Sequence, residues 1–164
     1  MRPLVLAAAL VCAPVPPAVA ASPHALPECA ADSLGYRAHT LPPIARSVVL
    51  LTVTNRGKQN CTIDRFPTVT FAGLDGSANP APPVESGPHV INAGRTLYAA
   101  LRTDDTTAPA HYVPSLAVAA SPAHAGRVFT ASGIGAPAPG IAVYDPVTTL
   151  WRTSADDAVA ALPD

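Results

Sequence analysis

VVLLTVTNRGKQNCTIDRFPTVTF, residues Val48 to Phe71, decides the fold class of this 164-residue chain. Val48, Val49, Leu50, Leu51 and Val53 make an apolar run rich in β-branched side chains, which fit the pleated, half-buried surface of a sheet. The run falls well short of the roughly 18 to 20 apolar residues that a membrane-spanning helix needs, so it reads as a central strand. Asn55-Arg56-Gly57 breaks it with two residues that tolerate positive φ. Thr62 to Phe71 then returns as a second extended stretch, interrupted by Pro67. The whole is a long hairpin or a crossover between two sheets, and nothing in it carries recognisable reaction chemistry.

Working outward, Leu34 to Leu41 reads as a short strand ended by Pro42-Pro43, and Ile44 to Thr54 as the first long one. Thr62–Ile63 and Thr68–Ala72 follow, and Asp75-Gly76 predicts a tight hairpin turn. Asn79 to Pro88, NPAPPVESGP, holds four prolines in ten residues and reads as an exposed loop outside any sheet. His89–Ile91 is a candidate short strand, Asn92-Ala93-Gly94 a turn, and Arg95–Arg102 a strand whose Leu97, Ala99 and Leu101 share one face. Ser115–Ala120, Val128–Ala131, Gly140–Tyr144 and Val147–Arg152 continue the pattern. Many short strands with regular turn signals predict an all-β chain, a single antiparallel β-sandwich over residues 21–154. Residues 155–164 are either a flexible tail or a short helix over Ala155–Leu162, capped by Ser154 with Asp156 and Asp157 in its first turn.

The first twenty residues have the form of a cleaved signal peptide: one charge at Arg2, an apolar run from Leu4 to Val11, and Ala18-Val19-Ala20 as a small-x-small cleavage site. Cys12 invites a lipoprotein reading, but Leu10 and Val11 stand where a lipobox needs a small residue. The expected product is therefore secreted or envelope-associated, with no stable membrane insertion. Cleavage leaves Cys29 and Cys61, and in an oxidising compartment two cysteines in one small domain are expected to pair. The bridge closes a loop of about 32 residues, worth roughly 3 to 4 kcal/mol in the chain-entropy picture. A formal charge of −1 with no basic cluster leaves no electrostatic footprint for nucleic acid.

The cluster Asn55-Arg56-Gly57, Cys61-Thr62-Ile63, Phe66-Pro67, Val69 and Asp75-Gly76, followed by Asn92-Ala93-Gly94 and the alternating Leu97 to Leu101, resembles the secreted actinobacterial domain-of-unknown-function family 4232. The resemblance spans Cys29 to Trp151. It implies an immunoglobulin-like β-sandwich outside the cell membrane, with the first cysteine bonded to that of the Cys-Thr-Ile segment. The chain departs from the family pattern at Asp64-Arg65, where glycine is usual, at Ala93, where proline is usual, and in lacking cysteines near Tyr112 and Tyr144. The family carries no assigned activity.

Reaction chemistry is equally absent elsewhere. No G-x-S-x-G elbow, S-x-x-K or H-E-x-x-H occurs, and His24, His39, His89, His111 and His124 never fall at metal-ligand spacing. Asp104-Asp105 and Asp156-Asp157 are the acidic pairs; adjacent carboxylates on a strand point to opposite faces, and those at a helix start serve its dipole. Gly133-Ile134-Gly135 precedes Pro137 and Pro139, which forbid the helix a dinucleotide loop requires. Asn60-Cys61-Thr62 matches a glycosylation sequon around a cysteine expected in a disulfide. The single tryptophan, Trp151, is either core or a sugar-stacking platform, and the scarcity of aromatics favours core. No catalytic residue, metal or cofactor is expected. The expected function is a non-catalytic module binding an envelope or extracellular protein or glycan through loops such as Asn79–Pro88 and Ser132–Gly140. A secreted enzyme with an unrecognised dispersed site is the alternative.

Overall fold

The computed structural model describes residues 25–41 and 47–163. The leader read over residues 1–20, His24, and the Ile44 start expected for the long strand lie outside the described residues. Among the described residues twelve strands follow in chain order: β1 (Leu34–Thr40), β2 (Val48–Asn55), β3 (Cys61–Asp64), β4 (Thr68–Phe71), β5 (Asn79–Ala81) and β6 (Pro88–Ile91), then β7 (Thr96–Arg102), β8 (His111–Val113), β9 (Ser115–Ala119), β10 (Arg127–Thr130), β11 (Ile141–Val143) and β12 (Val147–Thr149). One helix, α1 (Ala155–Ala160), closes the described chain.

The main sheet runs β1-β2-β7-β12-β5, with β2 antiparallel to both β1 and β7. Leu51 stands between Ala38 and Ala99, and Val53 between Tyr36 and Leu97. Because side chains alternate, Val49, Leu51 and Val53 point to the same face as Leu97, Ala99 and Leu101, and all six are buried. The run Val48–Leu51 is apolar without alternation because the opposite face is covered too. Val48, Leu50 and Ala100 pack under α1 against Ala158, with Ala155, Val159 and Leu162 around them. Ala155, Ala158 and Val159 recur at the three- and four-residue spacing of an amphipathic helix, and Leu162 continues it just past the helix end. The helix is thus an ordered lid on the sheet, with Ser154 Oγ accepting from the Asp157 N–H at 3.1 Å.

The opposing layer is built from β10-β9-β4, β3-β6 and β11-β8. Its Ile63, Val69, Phe71, Leu116 and Val118 join Leu51, Val53 and Leu101 in one core, giving an all-β, sandwich-like fold. The Val48–Phe71 stretch is a crossover, since β2 pairs with β1 and β7 while β3 pairs with β6. Its turning point works differently from the expectation: neither Asn55 nor Gly57 takes a positive φ. The fully buried Asn55 side chain holds the turn instead, its Nδ2 donating to the carbonyls of Gln59 and Ile91 and its Oδ1 accepting from the Gly57 N–H at 2.8 Å.

Two further expectations are corrected. Asn79–Ala81 is a strand, parallel to β12 at the sheet edge, where Pro80 is tolerated because an edge position does not need every N–H. The chain after β4 makes no two-strand hairpin at Asp75-Gly76, because β4 pairs with β9 and β5 belongs to the other sheet. His111–Val113, to which the sequence reading assigned no element, is a strand paired with β11. Cys29 and Cys61 are joined, with Cα atoms 5.0 Å apart, and the Cys29 N–H donates to Thr62 O at 2.9 Å.

Candidate functional site

The β8–β11 ribbon has one face in the core and one outside. Val113 pairs with Ile141 and His111 with Val143, and the buried Val113, Ile141 and Val143 turn inward. Alternation therefore sends Tyr112, its partner Ala142 and the adjacent Tyr144 outward. Tyr112 is 59% exposed and Tyr144 38%. The ribbon is tied to the main sheet where the Tyr144 N–H donates to Thr103 O at 2.9 Å and the Thr103 N–H to Ser47 O at 2.7 Å.

Beside Tyr112 opens a cleft of about 470 Å³ bounded by Ser47, Asp104, Thr106, Pro137 and Gly140. Its far wall is the Ser132–Gly140 loop, one of the two read from sequence as binding loops. That loop is fixed: Ile134 is buried, and Thr40 Oγ1 lies 3.0 Å from Ile134 O and 3.1 Å from Gly135 O, to which it can donate. Asp104 Oδ1 accepts from the Thr106 N–H at 2.9 Å. The other expected loop, Asn79–Pro88, gives its ends to β5 and β6, and its remainder is pinned by buried Asp64, whose carboxylate accepts from the N–H of Gly87 and the hydroxyl of Ser86.

Trp151 is 3% exposed and belongs to the core. Its indole Nε1 is buried with no hydrogen-bond partner among the described residues, and Trp151 also lines a second cleft, of about 500 Å³, with His89, Arg152 and Thr153. His89 has its pKa lowered from the ordinary 6.5 by burial first, then by the Arg152 and Arg65 guanidinium groups. No group of three or more His, Cys, Asp or Glu side chains suited to a metal occurs among the described residues. His124 Nε2 lies 3.5 Å from Glu28 Oε1. Asp105 is a turn former: its carboxylate accepts from the Thr107 N–H and hydroxyl, and these bonds hold its pKa below the usual carboxylate value. Asn60 Oδ1 accepts from the Ala93 N–H.

Sequence reading passed over Tyr112, Tyr144, Arg65 and Arg152. The alternation in Ile141–Tyr144 marks an outward tyrosine, but the partner strand at His111–Val113 is too short to announce itself. The arginines are brought together by pairings that no local pattern reveals.

Fold and disulfide together define a small all-β domain of the kind that presents rigid loops and ribbons. The family described as Domain of unknown function (DUF4232) matches residues 29–152, and the chain belongs to that family. No curated protein and no solved structure matches it.

Proposed function

We propose that the protein is an exported, non-catalytic module that binds a glycan of the cell envelope through the Tyr112–Tyr144 face and the adjoining cleft. The observation that carries this reading is the pair of exposed tyrosines on one face of a ribbon whose other face is locked into the core. Tyrosine rings offer large, rigid, amphipathic contact area at low entropic cost. Asp104, Thr106 and Ser47 beside them supply the polar atoms that a polyhydroxylated ligand needs for orientation. Export rests on the leader and on the disulfide, a bond that persists in oxidising compartments. Among the described residues no helix is long and apolar enough to cross a membrane. The same reading takes the host as an actinobacterium and the sandwich as immunoglobulin-like, as the family resemblance implies.

Retention of the purified chain on insoluble cell-wall polysaccharide tests it. Tyr112→Ala with Tyr144→Ala should weaken retention at least about tenfold, the loss expected for removing aromatic anchors. Unchanged retention in that double variant would reject the site. A dispersed enzymatic site has one observation in its favour, the Glu28–His124 pair beside a small cleft that also holds Asp64 and Ser121. Hydrolysis of cell-wall polymers by the wild type, abolished in His124→Ala, would establish that reading instead.

A further inference from the structure

The cleft at Trp151 is lined by Arg152 and His89, which come from segments far apart in sequence, and the charge of Arg65 reaches His89 from outside the lining. Ile63 faces His89 in the β3–β6 pairing, which places the following Arg65 near His89, and the backbone N–H of Trp151 donates to Arg65 O at 2.9 Å. Arg152 is fixed by exchanging N–H···O bonds with Tyr98, at 2.7 and 2.8 Å. The Arg65 guanidinium lies over Gly87, in the space that a Cβ there would fill. The side chains of Arg65 and Arg152 have no hydrogen-bond or ion-pair partner among the described residues, where the ion pair found is Glu28–His124. A buried tryptophan indole N–H ordinarily finds an acceptor, and that of Trp151 has none among the described residues. Asp157 is the acid lining the cleft, and its Oδ2 accepts from Ser154 Oγ at 2.6 Å.

We propose that this cleft binds a phosphate group, with Arg152 and His89 on its oxygens, the Trp151 indole N–H as a further donor, and Arg65 supplying charge from behind. Donors that approach from a strand, a buried ring and an extended segment suit a tetrahedral oxyanion, which offers acceptor oxygens in several directions. A carboxylate offers two in one plane. Residues that make this site are separate from Tyr112 and Tyr144: the two lie toward opposite ends of β7, where Tyr98 bonds Arg152 and Thr103 bonds Tyr144. The site therefore stands or falls independently of glycan binding. The phosphate can be free or carried by a lipid headgroup, and the experiment separates these.

The single tryptophan gives a single indole N–H resonance, a reporter at the site itself. Inorganic phosphate titrated into the full chain at constant ionic strength should shift that resonance saturably. Arg152→Gln should weaken the response about tenfold, the worth of one charge-assisted hydrogen bond. Asp157→Asn, an exposed change that removes the opposing charge, should tighten it, and Tyr112→Ala should leave it unchanged. A response to phosphatidylglycerol vesicles exceeding that to inorganic phosphate, and lost in Arg152→Gln, supports the site with a headgroup as its source. No shift with either probe, an equal shift with acetate or chloride, or a full response in folded Arg152→Gln would each overturn the proposal.

Discussion

Asn55 shows how much one buried polar side chain holds. It is fully buried, and its amide donates to the Ile91 and Gln59 carbonyls while its oxygen takes the Gly57 N–H. Asn55→Ala leaves these groups unpartnered inside the fold and should cost about 2 to 3 kcal/mol, read as a lowered urea midpoint. Asn55→Asp should be at least as costly, because a carboxylate oxygen would then face two carbonyls. His89 provides a pH test. Its pKa lies below 6.5 in the folded chain, through burial and then the charges of Arg152 and Arg65, while Asp157 across the cleft is too weak a counterweight to reverse the direction. The folded state therefore takes up a proton less readily than the unfolded chain. The contribution to stability is complete above about pH 6.5 and is lost as pH falls below it toward the folded pKa. Stability of wild type minus that of His89→Gln, measured by urea unfolding from pH 8 to pH 5, should decline over that window.

Among the elements, α1 joins sequence signal to packing most directly. Its cap, its first-turn acids and its apolar spacing are all local, so a helix from Ser154 onward was readable as one of two alternatives, the other a flexible tail, while the packing target that decides between them was not. The partner surface is Val48, Leu50 and Ala100, contributed by strands far away in the chain. Ser154→Ala removes the acceptor of the Asp157 N–H and should cost about 1 kcal/mol, measured by thermal melting. The unalternating Val48–Leu51 run is the other half of the same evidence, since only a strand covered on both faces carries such a pattern. The strands β2, β7 and β9 were legible for their apolar alternation or length. By contrast β5 and β8 have three residues each, and their pairing comes from tertiary neighbours rather than from intrinsic preference. In β5 the proline signal pointed against a strand, and it failed because that signal applies to the middle of a sheet. The two candidate sites were still less legible, because the outward direction of Tyr112 and the approach of Arg65 to Arg152 exist only after those pairings form.

For the molecule as a whole, Trp151 is the junction. It closes the core after the last strand and its backbone ties to Arg65 beyond β3. Trp151→Ala should cost roughly 3 to 5 kcal/mol through the cavity it leaves, and the native emission should be blue-shifted, both observable by fluorescence-monitored denaturation. Sheet pairing here joins distant segments, β2 to β7 and β5 to β12, a topology that folds slowly compared with locally connected chains. The proline at the centre of β5 has a consequence for life at high local concentration. An open sheet edge is a template on which a second chain can polymerise, and this edge is three residues long, lacks a donor at Pro80 and runs straight into Pro82 and Pro83. Crowded copies of the protein therefore find no foothold along β5 for fibrous self-assembly.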